Sequence, residues 1–406
     1  MDNRVAYLVM VTAENNNKYY KMIPKGDSFD IEYGRVGASC QKTSYSMSKW
    51  NSKYNEKIRK GYVDRTESME DLIVKEVAKD GSKSTYREIE NKAILEIVDR
   101  LQRMAKQAIR DNYTISSNQV TQKMVDEAQD LITELSKSAT VEAFNKLLLN
   151  LFTTIPRKMG HVADYLAGRK EDFGPIITKE QDLLDVMRGQ VVQHKVVKED
   201  ETVTEQDMTQ KTILEEMGLV FEECTPAEIL VIKKNLAESK DKFYKAWKVT
   251  NNRTQEKFDN FMKKEGKIKT KLLWHGSRNE NWWSIVNAGL VLRPTNSILS
   301  GSMFGKGLYF ATKARKSLGY TSLQGSYWAG GNSNSAFMSL YEVAYGTPFD
   351  AHSFDNKFYN FNFEALQRAK PGAHCLHAHE GQMLRNDEII VYKEDQITIK
   401  YLVELR

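Results

Sequence analysis

The side chains able to do chemistry gather in the last third of the chain. His275 and Gly276 close the apolar run "LLWHGS", Tyr309 lies inside "KGLYFA", Lys316, Ser317 and Tyr320 follow in "ATKARKSLGY", and Glu388 opens the strand-like "EIIVY". The glycines of "GSMFGKGLYF" first suggest a phosphate-gripping loop. Their spacing excludes it, because a P-loop places four residues between its glycines and a Ser or Thr after its lysine. Here three residues separate Gly301 from Gly305, and Gly307 follows Lys306. What is left is a glycine-permitted turn into a short apolar strand, then a polar segment closed by a second tyrosine. That arrangement suits a flat ring. Taken singly, each residue has an ordinary role: a solvated glutamate, a histidine in a turn, a core tyrosine. Their order together argues for a site.

Such a site must be carried by a fold, and 406 residues suffice for two or three domains. A hydrophobic content of 41% supports globular packing. No run approaches the roughly 18 apolar residues a membrane span needs, and the start "MDNRVAYLVMVTAENNN" turns polar too early for a secretory signal. The expectation is a soluble intracellular protein with no membrane partner, nuclear in a eukaryote and in the cytoplasm or nucleoid of a bacterium. Cys40, Cys224 and Cys375 lie far apart without zinc spacing, which reads as reduced structural thiols. Net charge is only +5, but its distribution is uneven. Met1 to Glu67 holds twelve Lys and Arg against eight Asp and Glu, and Lys42 to Lys60 holds six cations against Glu56 alone. A local basic face follows.

Three segments emerge along the chain. Residues 1–75 begin with short apolar runs ("VAYLVMV", "YYKMI", "FDIEYGRVG") between turn signals, as in an antiparallel sheet. A helix follows, with Trp50, Tyr54 and Ile58 forming an apolar stripe beside Lys49, Lys53, Lys57 and Lys60. Residues 80–200 change to helical period: Ile89 to Ala108, then Val120 to Leu135 capped by Ser116 or Ser117, then Val141 to Pro156, then a helix around Leu183, Leu184 and Met187. His161 and His194 have no partner at ligand spacing. Residues 205–406 mix short helices with strands, the last two flanking the turn "KED". The run "GAHCLHAHE" gathers His374, Cys375, His377 and His379. A loop without metal is the preferred reading, because a structural zinc needs a second, separated ligand pair.

Three stretches make a resemblance specific. "LLWHGSRNENWWSIVNAGL", "SGSMFGKGLYFATKARKSLGY" and "NDEIIVYKEDQITIKYLVEL" resemble the catalytic domain of the poly(ADP-ribose) polymerases, whose His, Tyr and Glu signature matches His275, Tyr309 and Glu388. "IEYGRVG" with "KYNEKIRKGYVD" resembles the family's WGR domain, and "TTIPRKMG" with "DLLDVMRGQVV" its helical regulatory domain. The fold so implied is multidomain α+β: a small β-sheet plus helix at 1–75, an all-α regulatory and autoinhibitory bundle at 80–200, and a mixed α/β ADP-ribosyltransferase domain with antiparallel sheets at 205–406.

The resemblance implies NAD+ as substrate and no metal. Glu388 would stabilise the ribose cation and polarise the acceptor hydroxyl. Gly276 and Ser317 would bind the nicotinamide amide, His275 the ribose, Ser277 the adenosine side, and Lys316 would stand near the reacting centre. Tyr309 and Tyr320 would lie on the two faces of nicotinamide. The implied activity is polymer formation on protein acceptors, including the chain itself, stimulated by DNA ends or nicks held at Tyr33, Arg35, Lys49, Lys53 and Lys57. Two rival readings are a mono-ADP-ribosyltransferase or NAD+ glycohydrolase, and an inactive DNA-end-binding scaffold. The sequence departs from the family's pattern at Ser302 and Val291, with Arg293 two positions later, and at Tyr33, which stands where the first domain's namesake tryptophan is expected.

Overall fold

The computed structural model describes residues 5–66, 87–113, 121–199, 211–292, 303–382 and 384–406. Ser116, Ser117, Arg293, Gly301 and Ser302 lie outside the described residues. Two compact units result: residues 1–83 with 106–191, and residues 84–105 with 192–406. The segment expected at 80–200 is thus divided, and the helix Lys92–Asn112 contributes its first part to the second unit and its last turns to the first.

In the first unit, β1 (Ala6–Val11), β2 (Asn17–Lys25), β3 (Ser28–Arg35), β4 (Gln41–Ser46) and β5 (Val63–Asp64) form an antiparallel sheet in the order β4-β3-β2-β1-β5. The alternating runs fold this way because one face is apolar: Leu8, Met22, Phe29 and Ile31 are fully buried. A two-residue link joins β2 to β3, and Gly26 holds φ +61° there, which a side chain would resist. The helix Trp50–Arg59 covers the buried face, with Trp50 edge-on to Phe29 at 5.0 Å and Tyr54 packed beside it. Ile58 corrects the expected stripe. It is 38% exposed, because the helix reaches past the edge of the core by its third turn.

The helical part of the first unit holds Gln122–Leu135, Val141–Thr154 and most of Phe173–Glu199, whose end from residue 192 belongs to the second unit. The first of these is capped by Thr121, whose hydroxyl accepts the N–H of Met124. Thr140 does the same for the second, which ends before Pro156. Phe144 and Phe173 stack at 3.9 Å. Arg157 is wholly buried. It pairs with Glu180, reaches Asn112 Oδ1 at 3.2 Å, and lies within 5.8 Å of the rings of Tyr113, Phe152 and Tyr165. Sheet and helices of this unit are bonded together: Asn17 donates to the carbonyl of Arg157, and Arg65 to Asn150 and Thr153.

The second unit is built on a mixed nine-stranded sheet. Its strands are β6 (Leu219–Glu223), β7 (Phe243–Asn251), β8 (Thr270–Gly276), β9 (Leu308–Ala311), β10 (Ala336–Ala344), β11 (Pro348–Ala351), β12 (Cys375–Ala378), β13 (Glu388–Val391) and β14 (Ile397–Leu405). Their order is β11-β12-β13-β9-β8-β10-β14-β7-β6, antiparallel except for β11 with β12. β10 is covered on both faces, which explains its near-continuous apolar sequence. The two strands flanking "KED" are not neighbours; β9, β8 and β10 lie between them. The run "GAHCLHAHE", expected as a loop, supplies β12 instead, because Leu376 and Ala378 fill the core beside Phe358 and Ile390. Among the described residues no helix is long and apolar enough to cross a membrane.

Candidate active site

Three adjacent strands carry the residues singled out above. β13, β9 and β8 lie side by side, with Glu388 opposite Ala311 and Ala311 opposite Trp274. His275 therefore stands two strands from Glu388, roughly 10 Å across the sheet at normal strand spacing. Tyr309 lies on the strand between. Trp274, beside His275 on β8, and Trp282 and Trp283 are fully buried.

Each side chain is held by a specific contact. Nδ1 of His275 lies 3.0 Å from the carbonyl of Tyr309, which can only accept, so Nδ1 donates. The imidazole is also flanked by Phe310, Tyr341 and Trp282 at ring distances of 5.8 to 6.3 Å. Tyr309 donates its hydroxyl to Gly305 O at 2.9 Å and accepts the N–H of Phe304 at 3.0 Å. That turn requires glycine, since Gly305 has φ +76° and an added Cβ would meet Phe361 O at 2.1 Å. Gly276 is constrained equally: a Cβ there would sit 2.0 Å from the carbonyl oxygen of Ser317. Backbone closeness at this point brings the end of β8 against the helix Ala314–Leu318.

That short helix carries Lys316 and Ser317. Lys316 Nζ stands 2.6 Å from Glu388 Oε1 and donates to Asn386 O at 3.2 Å. Both partners of the ion pair are about nine-tenths buried, so it is little screened. Ser317 is buried. Tyr320, one turn on, keeps 42% of its surface, yet its phenol is pushed up to about 12, first by loss of hydration and then by the charge of Glu388. The hydroxyl is thus neutral and near Glu388. Ser277 accepts from Asn281 at 3.0 Å, at the entry to the helix Trp282–Ala288.

Several neighbours have no counterpart among the residues picked out by sequence. Trp328 stacks on Tyr320 at 6.3 Å and 19°, tied down by its N–H to Gly319 O. Asp387, next to Glu388, accepts from His377 at 2.9 Å. Only its adjacency to Glu388 could have marked Asp387; for Trp328 no local signal exists, because a loop returns it to the site.

The residues assigned to DNA separate into two groups. Lys49 is exposed, and Lys53 and Lys57 are partly exposed, with Lys49 and Lys53 over the ring of Tyr45 and Lys57 over Tyr20. Tyr33 packs against Tyr20 at 6.0 Å inside the first unit. The guanidinium of Arg35 is taken up by Asn15 and by the carbonyls of Met159 and Gly160.

Comparison with known proteins agrees with this geometry. Residues 229–406 match the model of the poly(ADP-ribose) polymerase catalytic domain, which makes the chain an ADP-ribosyltransferase with NAD+ as its substrate. The 101L protein of Invertebrate iridescent virus 6 is 34% identical over 188 residues, 45% of this chain and 76% of that protein. The putative poly [ADP-ribose] polymerase-like protein 100L of the same virus is 30% identical over 166 residues, 41% of this chain and 87% of its own length. Poly [ADP-ribose] polymerase 2 of Homo sapiens is 28% identical over 163 residues, 33% of this chain and 26% of that protein. The chain belongs to the poly(ADP-ribose) polymerase family.

Proposed function

We propose that the chain is a DNA-break-stimulated poly(ADP-ribose) polymerase in which Glu388 is the catalytic carboxylate. The observation that carries this reading is the buried Glu388 carboxylate on β13, beside Lys316 and near Tyr320. The bond from ribose C1′ to the pyridinium nitrogen breaks, its electron pair leaves with neutral nicotinamide, and the ribose gains oxocarbenium character. A carboxylate fixed in a site poor in water stabilises that charge without having to reorganise. Glu388 then accepts the proton of the attacking hydroxyl, from an acceptor protein or a growing ADP-ribose chain, as its oxygen bonds C1′. Lys316 positions the carboxylate. His275 offers Nε2 to a ribose hydroxyl, Ser277 the adenosine side, and the backbone of Gly276 with Ser317 grips the amide. Tyr309 and Tyr320 cover the two faces of the cationic ring, each contact favourable by about 0.5–2 kcal/mol.

DNA stimulation is assigned to the basic helix Trp50–Arg59 and its approach, with Lys49 and Lys53 as phosphate contacts. Arg35 takes a different role. Its bonds to Met159 and Gly160 couple the first segment to the helical one, so strain at a DNA contact reaches helices that the proposal treats as autoinhibitory. Residues 1–75 are accordingly read as WGR-like and 80–200 as regulatory. The test is nicotinamide release from NAD+ with and without nicked or blunt duplex, with the products run on a gel. The proposal expects release stimulated by DNA and a ladder of automodified species. One discrete band would indicate single-unit transfer, and no release would indicate a scaffold.

A further inference from the structure

Strand pairing gives "GAHCLHAHE" the separated partner that its sequence lacks. β11 and β12 run parallel with Asp350 beside His377, and His379 continues on the same face two residues on. His379 Nε2 lies 2.8 Å from Asp350 Oδ1, and His377 Nδ1 lies 4.0 Å from the same oxygen. One ligand atom from each of the three residues falls within 4.8 Å of the others. The two imidazoles stack at 3.8 Å, and His352 stacks on His379 at 4.3 Å.

Hydrogen bonding favours a ligand set. The Asp387 carboxylate can only accept, so it takes the Nε2–H of His377 at 2.9 Å and leaves Nδ1 to accept from the Tyr345 hydroxyl at 2.9 Å. A histidine backed by a carboxylate on one nitrogen, with a lone pair on the other, is how proteins orient a metal ligand.

We propose that Asp350, His377 and His379 bind a divalent transition metal, with Zn2+ the best match to two imidazoles and one carboxylate, and that Asp387 orients His377 from behind. Bonds of about 2.0–2.1 Å at tetrahedral angles place donors roughly 3.3 Å apart. The 2.8 Å pair must therefore open and the 4.0 Å pair close, each by less than about 1 Å. The Tyr345 hydroxyl gives up its 2.9 Å hydrogen bond to Nδ1 and swings away with its proton, and water completes the coordination. No step of ADP-ribose transfer runs through this cation; its ligands come from β11 and from β12 with the residue that follows it, so it braces those two paired strands. The inference stands on strand geometry and does not depend on the role of Glu388.

The test uses the full chain after chelation and dialysis, titrated with Zn2+ by calorimetry and with Co2+ by visible absorption. One equivalent of Zn2+ should bind, and Co2+ should give the intense d–d bands of a four-coordinate site. Asp350→Ala and His379→Gln should each abolish this binding while unfolding at the midpoint of the metal-free native chain, and Asp387→Asn should weaken it about 10–100-fold. A stripped native chain that takes up no Zn2+ would overturn the proposal. So would unchanged binding by Asp350→Ala and His379→Gln.

Discussion

Gly276 and Tyr320 give the residue scale its clearest tests. Adding a methyl at Gly276 forces the end of β8 away from Ser317 O, now 2.0 Å from where the Cβ would fall. Overpacking of this kind costs about 1–3 kcal/mol, so Gly276→Ala should lower the thermal midpoint and raise the KM for NAD+. Tyr320→Ala should weaken NAD+ by about 2–30-fold, the equivalent of removing one stacked ring, whereas Tyr320→Phe should match the native enzyme. The Tyr320 phenol is held near 12 in the fold, above its ordinary value near 10, and so stays neutral at lower pH. The KM for NAD+ measured from pH 7 to 10 should therefore show no alkaline limb from this group. His275, Tyr309 and Glu388 were legible in the sequence because their types, order and glycine-rich settings are specific together. The bond from Lys316 to Asn386 and the stacking of Trp328 were not, because both depend on where the chain returns after a turn.

Among the elements, periodicity identified the strands and helices better than it identified their neighbours. β13 and β14 were both readable, yet no local pattern reveals that three strands separate them, since sheet order is fixed by long-range packing. Helix caps followed the same limit: Thr140 is visible beside an apolar run, while Thr121 competes with the serines before it. Arg157 carries the main element-scale prediction. It is the buried countercharge of Glu180, and removing one member of such a pair costs about 3–5 kcal/mol. In Arg157→Met the burial of Glu180 is opposed by the Lys179 charge but no longer by Arg157, which lifts its folded pKa further above the unfolded value of about 4.3. The protonated form then suits the fold, so the penalty should be small below about pH 4.3 and grow as pH rises through the lifted value. Thermal midpoints at pH 5 and pH 8 should show the larger loss at pH 8, and adding Glu180→Gln should recover most of it.

For the molecule as a whole, charge placement matters more than net charge. The excess of cations between Lys42 and Lys60 falls mostly on the helix Trp50–Arg59 and its two caps, Lys49 and Lys60, and exposed lysines there release counterions when they meet phosphates. Replacing Lys49 and Lys53 by Ala should reduce the slope of log affinity against log salt by about 0.9 for each phosphate no longer neutralised, measured on a blunt duplex by anisotropy. Binding weakened equally on unrelated duplex sequences would mark these lysines as phosphate ligands. Basal turnover without DNA should be unchanged in that variant. Deleting residues 106–191, the helical residues that belong to the first unit, should raise basal turnover; a deletion variant that stays silent until DNA is added would count against autoinhibition. The central claim remains the buried carboxylate on β13, and nicotinamide release from NAD+ by Glu388→Gln tests it most directly. Loss of one preorganised electrostatic partner predicts a fall of about 100- to 1000-fold in turnover with NAD+ still bound; turnover equal to that of the native chain would contradict the assignment.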